Sequence, residues 1–259
     1  MPRSGTTWLS QIFASSPDVR LKSCPLFSYE FKELLNENST AEEWRALFAS
    51  LYVTRSEFLD QDHLRRRGLI PDFLEKINPD NLIVKSNRFH NLSRNILLLN
   101  TDVKFIHIVR HPCATIYSWL NDPDEFPSGA DLMSEWKTGQ CRKSNIGEFW
   151  GFDDWKKVTQ NALNLSAEFP DRHIIVKYED LVRNTEAKVV ELFGFLNIEC
   201  GESTKKFIRL SKSTHDKHKH SVFKKVDLND KWNDFLPPEI INFCLADISG
   251  TELEQFIKT

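Results

Sequence analysis

The chain has 259 residues, 40% of them hydrophobic and 27% charged, the balance of an ordinary globular protein rather than a disordered, collagenous or membrane-embedded one. With 34 Lys and Arg against 37 Asp and Glu, the formal charge is -3 and the pI about 6.3, so any polyanion must be met by a local basic pocket, and neither nucleic acid nor an anionic membrane is an expected partner. No run approaches the ~20 apolar residues of a membrane span, no signal peptide precedes the first motif, and a single domain over 1–259 is large enough to bury its core without a disulfide or structural metal.

The five cysteines, at 24, 113, 141, 200 and 244, are odd in number and contain no C-x-x-C pair. That pattern disfavours both a disulfide framework and a zinc site and points to a reducing compartment, the cytoplasm, although a Golgi-type chain stripped of an anchor would read the same way. The N-x-S/T matches at Asn38, Asn91 and Asn164 are about what chance supplies.

In chain order, Thr6 to Ser15 reads as a helix stopped by Pro17. Thr40-Ala-Glu-Glu43 is a capping box opening an amphipathic helix with Trp44, Leu47, Phe48 and Leu51 on one face. Leu82-Ile-Val84 and Val103 to Val109 are short, β-branched and bounded by polar turns, so they read as strands joined by a helix from Leu92 to Leu99, a β-α-β unit. A helix from Phe152 to Phe169, a strand from Arg172 to Lys177 and a helix from Glu186 to Leu196 repeat the alternation. The expected sheet is therefore parallel, within a three-layer α/β fold. Lys212 to Asp234 is basic, polar and weakly periodic, the signature of a lid loop, and Pro237 opens a terminal helical pair.

Two stretches carry the chemistry. Pro2-Arg3-Ser4-Gly5-Thr6-Thr7-Trp8-Leu9 sits directly before a helix, with a glycine for a tight turn and hydroxyls and amides converging on the helix N-terminus, which is an anion cradle. It is not a Walker A loop, because the G-x-x-x-x-G-K-S/T spacing is absent and the basic residue precedes the glycine. Further on, Phe105-Ile-His-Ile-Val-Arg110-His-Pro112 places an arginine at the carboxyl end of a strand, with Ser118 eight residues later. Ligands of open α/β sheets bind at that edge, where a guanidinium and a hydroxyl can hold a phosphate by charge-assisted hydrogen bonds. Taken singly, the first stretch also fits a capped helix start, and Arg110 also fits a strand-end salt bridge.

In this order and at this separation the two motifs resemble those of the phosphosulfate-dependent sulfotransferases, whose fold is P-loop-like without Walker chemistry. The family's first motif, P-K/R-S-G-T-T-W-L, matches Pro2 to Leu9, and its second, R-x-P with a serine eight residues after the arginine, matches Arg110, Pro112 and Ser118. Val176-Lys-Tyr-Glu-Asp-Leu181 is similar to the family's Y-E-D-L strand end, and Phe223-Lys-Lys225 with Trp232 to its basic lid. The resemblance implies that Arg3, Ser4, Gly5, Thr6 and Thr7 hold the phosphosulfate of 3′-phosphoadenosine 5′-phosphosulfate (PAPS) and that Trp8 lies against adenine. It further implies that Arg110, Ser118, Tyr178, Lys224 and Lys225 bind the remaining nucleotide, with Lys85 stabilising the leaving phosphate of the product adenosine 3′,5′-bisphosphate (PAP). No metal is expected.

Three departures stand out. Relatives carry an apolar strand before the first loop, which here begins at Met1-Pro2, so that strand is expected to be missing. Several carry a glutamate before a proline after P-D-V, where this chain has Cys24-Pro25; cytosolic relatives carry a histidine two residues after the strand-end lysine, where it has Asn87. His90 is therefore the first candidate for the general base, with Glu30 and His63 as the others.

The remaining clusters are expected to be structural. His215, His218 and His220 are interleaved with lysines and suit a solvated lid better than a metal site. Arg65 to Arg67 suit the basic end of a helix, His107 a strand core, and Trp136, Trp150 and Trp155 either a core or an acceptor pocket. The expected activity is transfer of a sulfuryl group from PAPS to a hydroxyl or amine of a small-molecule, carbohydrate or peptide acceptor. A kinase on a related fold would need a lysine after the glycine loop and a magnesium-binding aspartate, neither evident here; a non-catalytic nucleotide-binding protein is the other alternative.

Overall fold

A computed structural model describes residues 1–27, 30–73, 76–216, 218, 221–223 and 231–258. The parallel strands are β1 (Val19–Ser23), β2 (Asn81–Lys85), β3 (Phe105–Val109) and β4 (His173–Lys177). β1 pairs with β2 in the register Val19 to Asn81, and β3 with β4 in the register Phe105 to His173. In chain order the helices are α1 (Thr6–Ala14), α2 (Ala41–Val53), α3 (Asp62–Arg66), α4 (Ser93–Leu99), α5 (Pro112–Leu120) and α6 (Leu132–Thr138). They continue with α7 (Gly151–Glu168), α8 (Tyr178–Arg183), α9 (Thr185–Leu196), α10 (Glu202–Ser213), α11 (Lys231–Phe235) and α12 (Pro238–Ile248).

Local chemistry explains several element ends. Thr40 caps α2 as expected: its Oγ1 accepts from the Glu43 amide at 3.3 Å and the Glu43 carboxylate accepts from the Thr40 amide at 2.7 Å. Pro112 opens α5, where the missing N–H would have had no helical partner. Arg65 and Arg66 do lie in the last turn of α3, paired with Asp62 and Glu57.

Alternation along the strands builds three layers. Val19, Ile83, Ile106, Ile108, Ile174 and Val176 share one core with α1, α9 and α10. On the opposite side Leu82 and Val84 pack with α2 and α4, while Val109 and Ile175 pack with α5, α7 and α12. The α/β class with parallel strands is as expected. The unit β2-α4-β3 does not bring β2 beside β3; among the described residues these strands form two separate two-stranded sheets. A helical crossover sets the direction of the next strand, not its neighbour.

Other differences are local. β1 was not anticipated, because Arg20 and Lys22 interrupt its apolar pattern; Lys22 is nevertheless buried, its Nζ donating to the Thr54 carbonyl at 2.5 Å and pairing with Asp60 at 2.6 Å. The stretch read as a lid from 212 to 234 is partly helical, since α10 runs to Ser213 and α11 begins at Lys231. Trp136, Trp150 and Trp155 are all buried in the core. No helix among the described residues is long and apolar enough to cross a membrane.

Candidate functional site

The cradle begins with backbone that only some residues tolerate. Gly5 caps α1 in the left-handed region, at φ 86°, and a Cβ there would lie 2.5 Å from ring carbons of Tyr178, so glycine is required on both conformational and steric grounds. This close approach presses the loop against the start of α8. Ser4 is fully enclosed, and the N-terminus of α1 presents amides with no helical partners, a natural anion site.

Three cations from three places in the chain converge on this turn. Lys85, the last residue of β2, donates from Nζ to Thr7 Oγ1 at 3.1 Å. Arg3 donates from Nε to Ser118 Oγ at 3.1 Å and forms an ion pair with Asp122 at 2.9 Å. Arg110 donates from a terminal nitrogen to the Arg3 carbonyl at 3.1 Å, and its guanidinium lies 4.9 Å from the centre of the Tyr178 ring. Its Nε is buried without a partner, so the group retains an unused donor where donors are costly to leave idle. Burial lowers the Arg3 pKa, opposed by Asp122, yet an arginine stays charged.

The turn after β3 is braced from behind. Glu179 accepts from the His111 amide at 3.0 Å, and the Trp155 indole donates to the Arg110 carbonyl at 2.9 Å. His111 in turn stacks on Trp232 of α11, with ring centres 4.4 Å apart. Thus one flank of the expected lid rests beside Arg110; at the other flank Phe223 packs edge-on to Phe207 of α10. Lys224 and Lys225 themselves lie outside the described residues, as does His220. His218 sits within 3.0 Å of Arg67.

Trp8 is set differently from a free stacking surface. It is buried in the core that α1 shares with α10, and its indole donates to Ser211 Oγ at 3.1 Å. Tyr178 is partly buried against the same core, and burial raises its phenol pKa.

His90 lies in a short 3-10 turn beyond Lys85 and packs among rings: Phe149 at 5.3 Å and His107 at 5.5 Å, with His173 6.0 Å beyond His107. Burial drives the His90 and His107 pKa values well below their ordinary value, and that of His173 to about 4. His90 bonds to the Asn87 backbone, whereas its Nε2 has no partner. The other base candidates sit apart: the His63 ring stacks on Phe58, and Glu30 is exposed. Nearer Lys85, the Cys24 amide donates to its carbonyl at 2.7 Å and the Cys24 thiol donates to Asn87 Oδ1 at 3.3 Å.

Sequence reasoning passed over the charges on the other flank. Arg88 forms a buried ion pair with Glu148, lies 3.6 Å from the centre of the Phe27 ring, and precedes a chain of pairs through Arg142 to Glu125. Asp122 was also missed, since nothing in Asn-Asp-Pro-Asp distinguishes it from an ordinary turn. No group of three or more His, Cys, Asp or Glu among the described residues is placed to hold a metal.

Cations converging on a helix N-terminus at the carboxyl ends of parallel strands make this an α/β protein built to receive an oxyanion. Residues 1–202 match the sulfotransferase family, and the chain belongs to it. Its fold is similar to that of mouse sulfotransferase SULT7A1 complexed with PAP, with a TM-score of 0.59 over 99% of this chain and 84% of that one at 17% identity. A sulfotransferase domain from the curacin biosynthetic pathway aligns over 88% of this chain and 78% of that one, with 20% identity and a TM-score of 0.49. No curated protein matches the chain.

Proposed function

We propose that this sulfotransferase takes its sulfuryl group from PAPS and passes it to a hydroxyl or amine by in-line displacement. The observation that carries the reading is the meeting of Arg3, Ser118 and Arg110 over Gly5 and Tyr178, residues as much as 115 positions apart that join the two motif regions into one cradle. In this reading the amides of α1 and Lys85 receive the phosphosulfate end, and Arg110, with its idle Nε, takes the 3′-phosphate. Lys85 is aimed at charge that grows on the leaving phosphate, the arrangement that lowers a barrier rather than tightening ground-state binding.

His90 is the base we assign. It lies in the short turn just beyond Lys85 and its Nε2 is unpartnered, so a ring nitrogen remains to exchange a proton with a bound acceptor.

Calorimetric titration with PAP and with 5′-AMP tests the donor assignment. The protein should bind PAP much more tightly than 5′-AMP. Equal affinity would overturn the 3′-phosphate site assigned to Arg110.

A further inference from the structure

Arg3 is the cation of the phosphosulfate loop, and its guanidinium is already engaged. Nε is held by Ser118 Oγ at 3.1 Å, and one terminal nitrogen lies 2.9 Å from Asp122 Oδ2. Asp122 is 1% exposed. Its placement is set by its own turn, just past the end of α5: its amide donates to the Trp119 carbonyl at 2.9 Å, while its carbonyl accepts from the Glu125 and Phe126 amides at 3.0 and 2.7 Å. Its Oδ1 accepts from the Asp124 amide at 3.1 Å, which leaves Oδ2 turned to Arg3. A buried carboxylate thus stands in contact with the first loop's cation, with Glu125 also close enough to act on Arg3, and its charge repels an anion that approaches the same guanidinium.

We propose that Asp122 is an internal counter-anion: it occupies Arg3 in the nucleotide-free protein, and nucleotide binding exchanges its carboxylate for the ligand's 5′ anionic group on the same guanidinium. Asp122 is then a positioning residue that sets how firmly nucleotide is held and, by recapturing Arg3, how readily product leaves. The inference rests on the PAPS reading above. No bond is made or broken; one charge-assisted contact replaces another.

The sign of the effect separates this role from a merely structural one. Losing a buried structural ion pair would loosen the loop and weaken binding, whereas losing a competitor strengthens it. Asp122→Asn should bind PAP about 10-fold more tightly than the wild type, with dissociation slowed to match, because a repulsive charge within a few ångströms of the ligand is gone. Asp122→Glu, which keeps the charge, should return toward wild-type affinity. Should Asp122→Asn not fold, Asp122→Ser keeps an oxygen for the Asp124 amide without the charge and carries the same expectation. Calorimetry and stopped-flow dissociation with PAP read both quantities, and thermal melts show that the variants are folded. Unchanged or weaker PAP binding by the folded neutral variants overturns the counter-anion role while leaving the donor reading intact. No PAP binding by the wild type overturns the donor reading, and this inference with it.

Discussion

Two cations end two parallel strands, and they are held in opposite ways. Lys85, at the end of β2, is a half-buried ammonium on a flexible stem with a hydrogen bond to Thr7. Arg110, just past β3, lies on the Tyr178 ring, donates to the Arg3 carbonyl, and follows a backbone pinned by Trp155 and Glu179. A planar guanidinium fixed on several sides suits a charge that is always present; an ammonium with rotational freedom can follow a charge that appears only during reaction. In the proposed reading the ends of β2 and β3 divide the labour, Arg110 serving recognition and Lys85 the chemical step.

The comparison breaks most visibly at Lys85. Lys85→Ala should lower kcat by about 100-fold or more with PAP affinity little changed, since the lost interaction belongs to developing charge. Steady-state kinetics beside calorimetry check this; a rise in KM with kcat intact would reverse the division of labour. Arg110→Ala should do the converse, weakening PAP by about 30-fold, the scale of a lost charge-assisted contact, and abolishing discrimination against 5′-AMP. Arg110→Lys should recover only part of the loss, because an ammonium cannot reproduce a guanidinium's several donors beside Tyr178.

Gly5 joins the two sides. Gly5→Ala places a methyl against the partly buried Tyr178 ring at a left-handed backbone position, and should cost about 2 kcal/mol of stability, read from denaturant unfolding. PAP should weaken in the same variant, as the loop lifts from the ring that beds Arg110.

The smallest effect concerns acid. His107 and His173 lie on β3 and β4, and His173 is 2% exposed with neither ring nitrogen partnered. Burial depresses both pKa values, that of His173 to about 4, so below pH 6.5 the unfolded chain binds protons that the folded one refuses. Stability is complete above that pH and is lost as pH falls toward 4, by up to about 1.4 kcal/mol per pH unit for a histidine such as His173. Urea midpoints at pH 7.5 and 5.5 should show the fall, and His173→Asn should reduce it, His107 and His90 contributing the remainder. Hydrogen exchange at pH 5.5 should open β3 and β4 before β1 and β2; the reverse order would move the acid-sensitive site elsewhere.

What could be read without the fold was local. The capping box at Thr40, Pro112 at a helix start, the three strands rich in isoleucine and valine, and the two anion-binding stretches all announce themselves within a dozen residues, because turn chemistry, periodicity and helix capping act over that range. The family follows from the same two stretches, which lie within the matched residues 1–202. Other features were legible only once the chain had folded. β1 hid behind Lys22, whose charge is satisfied by Thr54 and Asp60 more than thirty positions away. Strand pairing placed β2 beside β1 rather than β3. The indole of Trp8 found Ser211, and Arg3 found Ser118 and Asp122, across separations no periodicity encodes. Burial decides such partnerships: a polar group removed from water must be satisfied by whatever packing brings near it, and packing is a property of the whole chain.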